Sequence, residues 1–188
     1  MSCQALDSGR KLGCKNSVGG LQNVYFAGSG DISAVLFNDV GATPGEVLSF
    51  TATASSIFKY ELVGSNTFTE TITSSNSEGT TFVEQSLTMN LQILDNATLN
   101  QVKLLAFDRP KIFVEDRNGH LLFLGIKNGM SLTTGTLSSG DGFGDASGFT
   151  LEFTGQEKLQ GIHVASGILN TSFDGALATA TFTPAIPS

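Results

Sequence analysis

The sequence predicts a mainly β protein with one α-helix, and three observations carry that prediction. Apolar and polar residues alternate with period 2 over many short runs, which places successive side chains on opposite faces of a strand. Glycine supplies 22 of 188 residues and serine and threonine are abundant, the composition of short strands joined by turns. Only one segment, about 97–107, carries apolar residues at helical spacing. The chain is 40% hydrophobic and long enough to bury a sizeable core, so it reads as one domain over 1–188. Phenylalanine dominates the aromatics, with 14 Phe against 2 Tyr and no Trp; buried Phe needs no hydrogen-bond partner.

Residues 1–20 hold four glycines together with Arg10, Lys11 and Lys15, and read as an extended, locally basic N-terminal arm. Leu21 to Ala27 is a strand, and Gly28-Ser29-Gly30 a turn. Residues 31–40 are ambiguous, with a strand around Val35 to Phe37; Glu46 to Ala52 is a strand after Pro44-Gly45. Ile57 to Val63 alternates weakly. From Thr67 to Thr73 the alternation is strict, with four threonines on one face and Phe68, Glu70 and Ile72 on the other. After the turn at 74–79, Thr80 to Leu94 alternates again: Val83, Leu87, Met89, Leu91 and Ile93 share a face interrupted by Gln85. Phe82, Glu84, Ser86, Thr88, Asn90 and Gln92 share the other. A strand of that length reaches on the order of 45 Å, against about 5–6 residues for an ordinary strand. A hairpin over about 67–94 therefore needs a third surface to cover its apolar face, which a neighbouring copy could supply.

Asn96 or Thr98 can cap the helix, and Leu99, Val102, Leu105 and Ala106 form its apolar stripe. Pro110 stops it. Ile112 to Asp116 and Leu121 to Ile126 flank an Asn118-Gly119 hairpin turn, and Lys127-Asn128-Gly129 is another turn. Leu132 to Leu137 leads into a Gly- and Asp-rich loop at 138–148, read as mobile or ordered by a partner. Phe149, Leu151 and Phe153 alternate with polar residues, and Ile162 to Ala165 and Ala176 to Phe182 are the last strands. Residues 183–188 form a short tail.

Composition excludes several function classes. The net charge is −7, and the 10 Lys and Arg are not clustered, whereas a sequence-specific nucleic-acid binder carries a basic footprint. His120 reads as a solvated hairpin residue and His163 as a half-buried polar group; no partnered nucleophile accompanies either, so the chain is expected not to be an enzyme. Cys3, Cys14 and the two histidines lack zinc-site spacing. Asp141-Gly142-Phe143-Gly144-Asp145 could hold calcium but lacks a complete binding-loop pattern and reads as a plain loop. No cofactor is expected. Cys3 and Cys14 read as free thiols in a reducing compartment. With no apolar leader or membrane-length run, the expectation is a protein made in a cytoplasm, with no membrane partner.

The order of elements, strands, then a long hairpin with a polar face, then one amphipathic helix, then strands ending in Gly-rich loops, resembles the tail tube proteins of tailed bacteriophages. The segments KIFVEDRNGHLLFLGIKNG (111–129) and SGFTLEFTGQEK (147–158) also look like structural proteins of phages that infect Bacteroidota. The resemblance implies a β-sandwich or barrel with one flanking α-helix, in a virion tail protein that self-associates into stacked hexameric rings, contacts other tail proteins and forms a channel for transient, non-specific passage of DNA. It implies channel-lining roles for Glu70, Glu84, Ser86, Thr88, Asn90 and Gln92, although Phe68, Ile72 and Phe82 share those faces. It implies contacts with the next ring through Arg10, Lys11 and Lys15 of the arm and Asp141, Phe143 and Asp145 of the loop. Other readings are a capsid decoration protein, a tail terminator, or a carbohydrate-binding β-sandwich module, the last disfavoured by the scarcity of Trp and Tyr.

Overall fold

The structure, a computed structural model, describes residues 17–37, 47–52, 57–164 and 183–184. The expected arm residues Arg10, Lys11 and Lys15, both cysteines and the expected strand at 176–182 lie outside the described residues. The elements run β1 Leu21–Ala27, β2 Ile32–Phe37, β3 Val47–Ala52, β4 Phe58–Glu61, β5 Thr67–Ser75, β6 Thr80–Gln92 and α1 Asn96–Leu105. They continue with β7 Lys111–Asp116, β8 Leu121–Leu124, β9 Ser131–Ser138, β10 Gly148–Glu157, β11 Ile162–Val164 and β12 Thr183–Pro184. Over the described residues the protein is thus mainly β with one helix.

Two sheets form the sandwich. The larger has the order β12-β4-β1-β7-β8-β11-β3-β2 and the smaller β5-β6-β10-β9. Every pairing in the smaller sheet is antiparallel. In the larger sheet only the short β11–β3 and β12–β4 pairings are parallel, so Thr183 and Pro184, expected in a tail, lie in a sheet. The core between the sheets gathers Val24 and Phe26 of β1, Ile112 and Val114 of β7, Leu87, Met89 and Leu91 of β6, and Phe149, Leu151 and Phe153 of β10. Phe26 stands 5.3 Å from Phe153 and 5.1 Å from Tyr60, ring centre to ring centre.

The larger sheet also buries its other face. β1 and β2 are joined by the short turn at 28–31, yet four strands separate them in the sheet. The sheet must therefore curl back on itself. Tyr25 and Ala27 of β1, Ile32 of β2, Phe113, Phe123 and Val164 fill the inside of that curl as a second core. Phe113 and Phe123 are cross-strand partners with stacked rings 4.3 Å apart. Strands buried on both faces read as nearly continuous apolar runs, as Ile112-Phe113-Val114 does.

The helix falls where expected, but Asp95 caps it rather than Asn96 or Thr98: its side chain accepts from the Thr98 N–H at 3.0 Å. Leu99, Val102 and Leu105 pack on the sandwich core. Ala106, the fourth residue of the expected stripe, caps the C-terminus and is exposed.

The long hairpin is present and its environment differs from expectation. β6 ends at Gln92; Ile93 adopts φ 73 and is 65% exposed, so it leaves the apolar face. That face needs no neighbouring copy, because β10 pairs with β6 from Val83 to Gln92 and the larger sheet covers Leu87, Met89 and Leu91. A strand of 13 residues is accommodated because β10 and β5 flank it on both sides. Only residues 80–82, paired with Thr73, Ser74 and Ser75, run past the end of β10.

Candidate functional site

Period-2 alternation and antiparallel register together place the expected polar residues on a single broad surface. Residues directly opposite in neighbouring strands share a face. Thr67 is opposite Thr88, Thr88 opposite Glu152, and Glu152 opposite Thr134. The same reading links Thr69, Ser86, Thr154 and Ser131; Thr71, Glu84 and Gln156; and Asn90, Thr150 and Thr136. Ser86, Thr88, Asn90, Gln92 and Glu84 therefore do share a face, and the threonine ladder of β5 joins them. Phe82, opposite Thr73, is the aromatic on this surface. The four strands contain four glutamates and no Lys, Arg or His. Side chains brace one another across strands: Thr150 donates to Asn90 Oδ1 at 2.7 Å and Gln156 to Glu84 Oε1 at 3.0 Å.

Glu70 does not belong with them. It lies opposite Gln85, on the core side of the smaller sheet. Gln85 is 1% exposed; its Nε2 donates to Glu70 Oε1 at 2.8 Å and its Oε1 accepts from the Gly125 N–H at 2.9 Å. Glu70 Oε1 also accepts from the Gly161 N–H. The polar interruption of the apolar run is thus a tie between the two sheets. Gln85→Leu leaves a buried amide N–H and a carboxylate short of a partner, and is expected to destabilise the fold by about 2–3 kcal/mol. Chemical denaturation checks this; an unchanged midpoint would show that the tie contributes nothing.

At one end of the smaller sheet, the turn at 125–129 and Arg109 wall a groove of about 630 Å³ whose lining includes Glu84, Ser86, Glu152, Thr154, Gln156 and Asn128. Glu157 fastens that turn: its Oε1 accepts from the N–H groups of Lys127 and Asn128 at 2.9 and 2.6 Å. The position of Arg109 beside these strands was not foreseeable, since the contact spans distant parts of the chain.

At the opposite end, the 139–147 loop joins β9 to β10. Expected to be mobile or ordered by a partner, it carries hydrogen bonds of its own. Asp145 Oδ2 accepts from the N–H groups of Asp141 and Gly142 at 3.0 and 2.7 Å, and these bonds hold its carboxyl below the usual range. The clamp presents Phe143 at the tip, 116% exposed.

The histidines, far apart in sequence, meet: the His120 and His163 rings are 5.9 Å apart, and His163 is exposed rather than half-buried. His120 Nδ1 lies 3.0 Å from Asp116 Oδ2. Asp116 also accepts from the N–H groups of Asn118 and His120 and from the Asn118 side chain, so it organises the hairpin turn. Neither imidazole bonds to a serine, threonine or cysteine among the described residues. Burial alone would raise the Asp116 pKa, but the Asn118 and His120 donors outweigh it and lower it to about 2. A depressed carboxylate contributes stability above its unfolded value of about 3.9, lost as pH falls toward the folded value. The stability gap between wild type and Asp116→Asn is therefore expected to be full above about pH 5 and to close toward pH 2. A gap independent of pH in denaturant titrations would rule out the clamp.

Among the described residues no helix is long and apolar enough to cross a membrane. Comparison of the chain with protein-family models, curated proteins and solved structures found no match.

Proposed function

We propose that this chain is a structural, non-catalytic subunit of a bacteriophage tail tube, made in the bacterial host cytoplasm and assembled in the virion tail as stacked hexameric rings around a DNA channel. The observation that supports this reading is the smaller sheet, with one polar face and two open edges. β5 and β9 are its outermost strands, and among the described residues neither pairs further. Open edges invite pairing with another chain, and proteins that must stay monomeric blunt them with Lys, Pro or bulges. Neither β5 nor β9 contains Lys, Arg or Pro. The register shift in β9 falls near its start, between the Glu152 and Phe153 pairings, and leaves Thr134–Ser138 regular.

Strand direction favours ring closure. The four strands alternate in direction, so β5 and β9 run oppositely. Copies related by a ring axis would set β9 of one beside β5 of the next, antiparallel at every junction. The polar face would line the lumen. Glu84 and Glu152 would repel the DNA backbone at short range, and the four strands carry no Lys, Arg or His to hold it, with Arg109 standing at one end of the face.

A capsid decoration protein or tail terminator would share this fold and differ in what it assembles. The carbohydrate-binding reading has less support, since no aromatic ring lines the groove on the polar face. Purified protein is expected to form rings and tubes in negative-stain electron microscopy. Single rings that never stack would favour a terminator. Monomer alone, by sedimentation over a wide concentration range, would overturn the tube reading.

A further inference from the structure

We propose that His120 and His163 together hold a divalent transition metal ion of the zinc class, with Asp116 as the positioning carboxylate behind His120. This site is independent of the tube reading. Sheet register brings the two imidazoles together. His163 of β11 is the cross-strand partner of Leu122, and His120 lies two residues before Leu122. The Asp116 N–H donates to His120 O at 3.0 Å, which continues the β7–β8 ladder as far as His120. Alternation puts His120 on the same face as Leu122, so the two histidines are diagonal neighbours on one side of the larger sheet, within reach of large side chains.

The geometry suits one ion. The ring centres are 5.9 Å apart and the ring planes 81° to one another. Zinc–nitrogen bonds of about 2.0–2.1 Å at a near-tetrahedral angle set two imidazole centres roughly 5–6 Å apart. A shared ion fixes where each nitrogen lone pair points and leaves the angle between the ring planes open. Both residues are exposed, so the His163 ring can turn about its broad χ2 and aim a nitrogen at the ion without moving the backbone. His120 is already set. Its Nδ1 lies 3.0 Å from Asp116 Oδ2, and an ionised carboxylate only accepts, so Nδ1 carries the proton and Nε2 the lone pair. A histidine whose other ring N–H is held by a carboxylate is the usual arrangement at a metal.

The surrounding charges leave room for a cation. β8 contains no titratable residue and β11 none besides His163. Arg117, in the same turn as His120, stands against Gly20. Glu115 follows Val114 on the other face of β7 and accepts from Asn23 and Tyr25. Among the described residues no three His, Cys, Asp or Glu form a metal-holding group, so the ion takes two imidazole nitrogens and completes its shell with water. Imidazole suits zinc, copper and nickel, whereas magnesium and calcium take oxygen ligands. The ion would act as a clasp. β11 is three residues long and, among the described residues, meets β3 through one pair, Val164 with Val47. A metal across His120 and His163 fastens that short strand to the β7–β8 hairpin.

The test uses the untagged full chain with Cys3→Ser and Cys14→Ser, which removes the thiols and leaves His120 and His163 as its only imidazoles. Calorimetric titration with Zn²⁺ is expected to show one ion per chain, and Tm to rise with added Zn²⁺ but not with Mg²⁺. Electron paramagnetic resonance with Cu²⁺ in place of Zn²⁺ should show coupling to two imidazole nitrogens. His120→Ala and His163→Ala, both at exposed positions, should each weaken Zn²⁺ binding at least about tenfold, with the melt in EDTA unchanged. Asp116→Asn should weaken it about tenfold or more while keeping the two-nitrogen spectrum; an unchanged affinity overturns its positioning role. An equal mixture of the two histidine variants should not regain binding, and a regain would mean that the ion joins two copies, which overturns the site within one chain. Zn²⁺ affinity indifferent to either histidine, or Cu²⁺ coupled to fewer than two imidazoles, overturns the metal site.

Discussion

Phe153→Ala is expected to destabilise the protein by about 3–5 kcal/mol, a fall of roughly 10 °C in Tm for a domain of this size. Phe153 sits in β10, fully buried, with Phe26 of the larger sheet 5.3 Å away. It belongs to the core that holds one sheet against the other. Truncation removes apolar burial and leaves a cavity that neighbouring strands, tied by backbone hydrogen bonds, cannot close. Phe143→Ala makes the same chemical change at a fully exposed position and is expected to alter folding stability by less than about 0.5 kcal/mol. Thermal melts of the two variants side by side check the prediction. Equal effects would mean that Phe153 does not join the sheets.

Gly129→Ala is expected to cost about 3 kcal/mol, from two separable causes. Gly129 has φ +73, a left-handed conformation that costs a residue with a Cβ about 1–2 kcal/mol. An added Cβ would also stand 2.4 Å from the Arg109 carbonyl oxygen, so the 125–129 turn or the Arg109-Pro110 backbone must move. Overpacking of that kind costs about 1–3 kcal/mol. Met130, fully buried, donates its N–H to Pro110 O in the same place, so the shift would reach the core. Gly119→Ala isolates the first cause. Gly119 has φ +81 with nothing within 4 Å of the added Cβ, and its expected cost is about 1–2 kcal/mol. Denaturant titration of both variants checks this. Equal costs would show that the turn yields freely around Arg109.

Particular residues mark what was legible. The β6 alternation, the Asn118-Gly119 turn and the Leu99, Val102, Leu105 stripe depend on neighbours within a few residues, and the structure has them. The face carrying Glu84, Ser86, Thr88, Asn90 and Gln92 was legible for the same reason. The grouping of Glu70 with that face failed because strand register, not spacing within one strand, sets which residues of two strands share a side. Gln85 looked like a defect in an apolar run; its donor and acceptor, Gly125 and Glu70, lie 40 and 15 residues away. The need for a neighbour to cover the hairpin disappeared once β10 was placed beside β6, a pairing across 56 to 74 residues.

The sequence by itself determined most of the described strands, the described helix, the hairpin turns and the polar character of one strand face, because these follow from local alternation and turn chemistry. The tertiary structure alone decided which strands are neighbours, that the larger sheet curls around a second core, and that Arg109 and the Asp145-clamped loop stand at opposite ends of β10. Those arrangements depend on hydrogen bonds and apolar contacts between residues far apart in the chain, where many pairings satisfy the same local pattern and only packing of the whole core selects one.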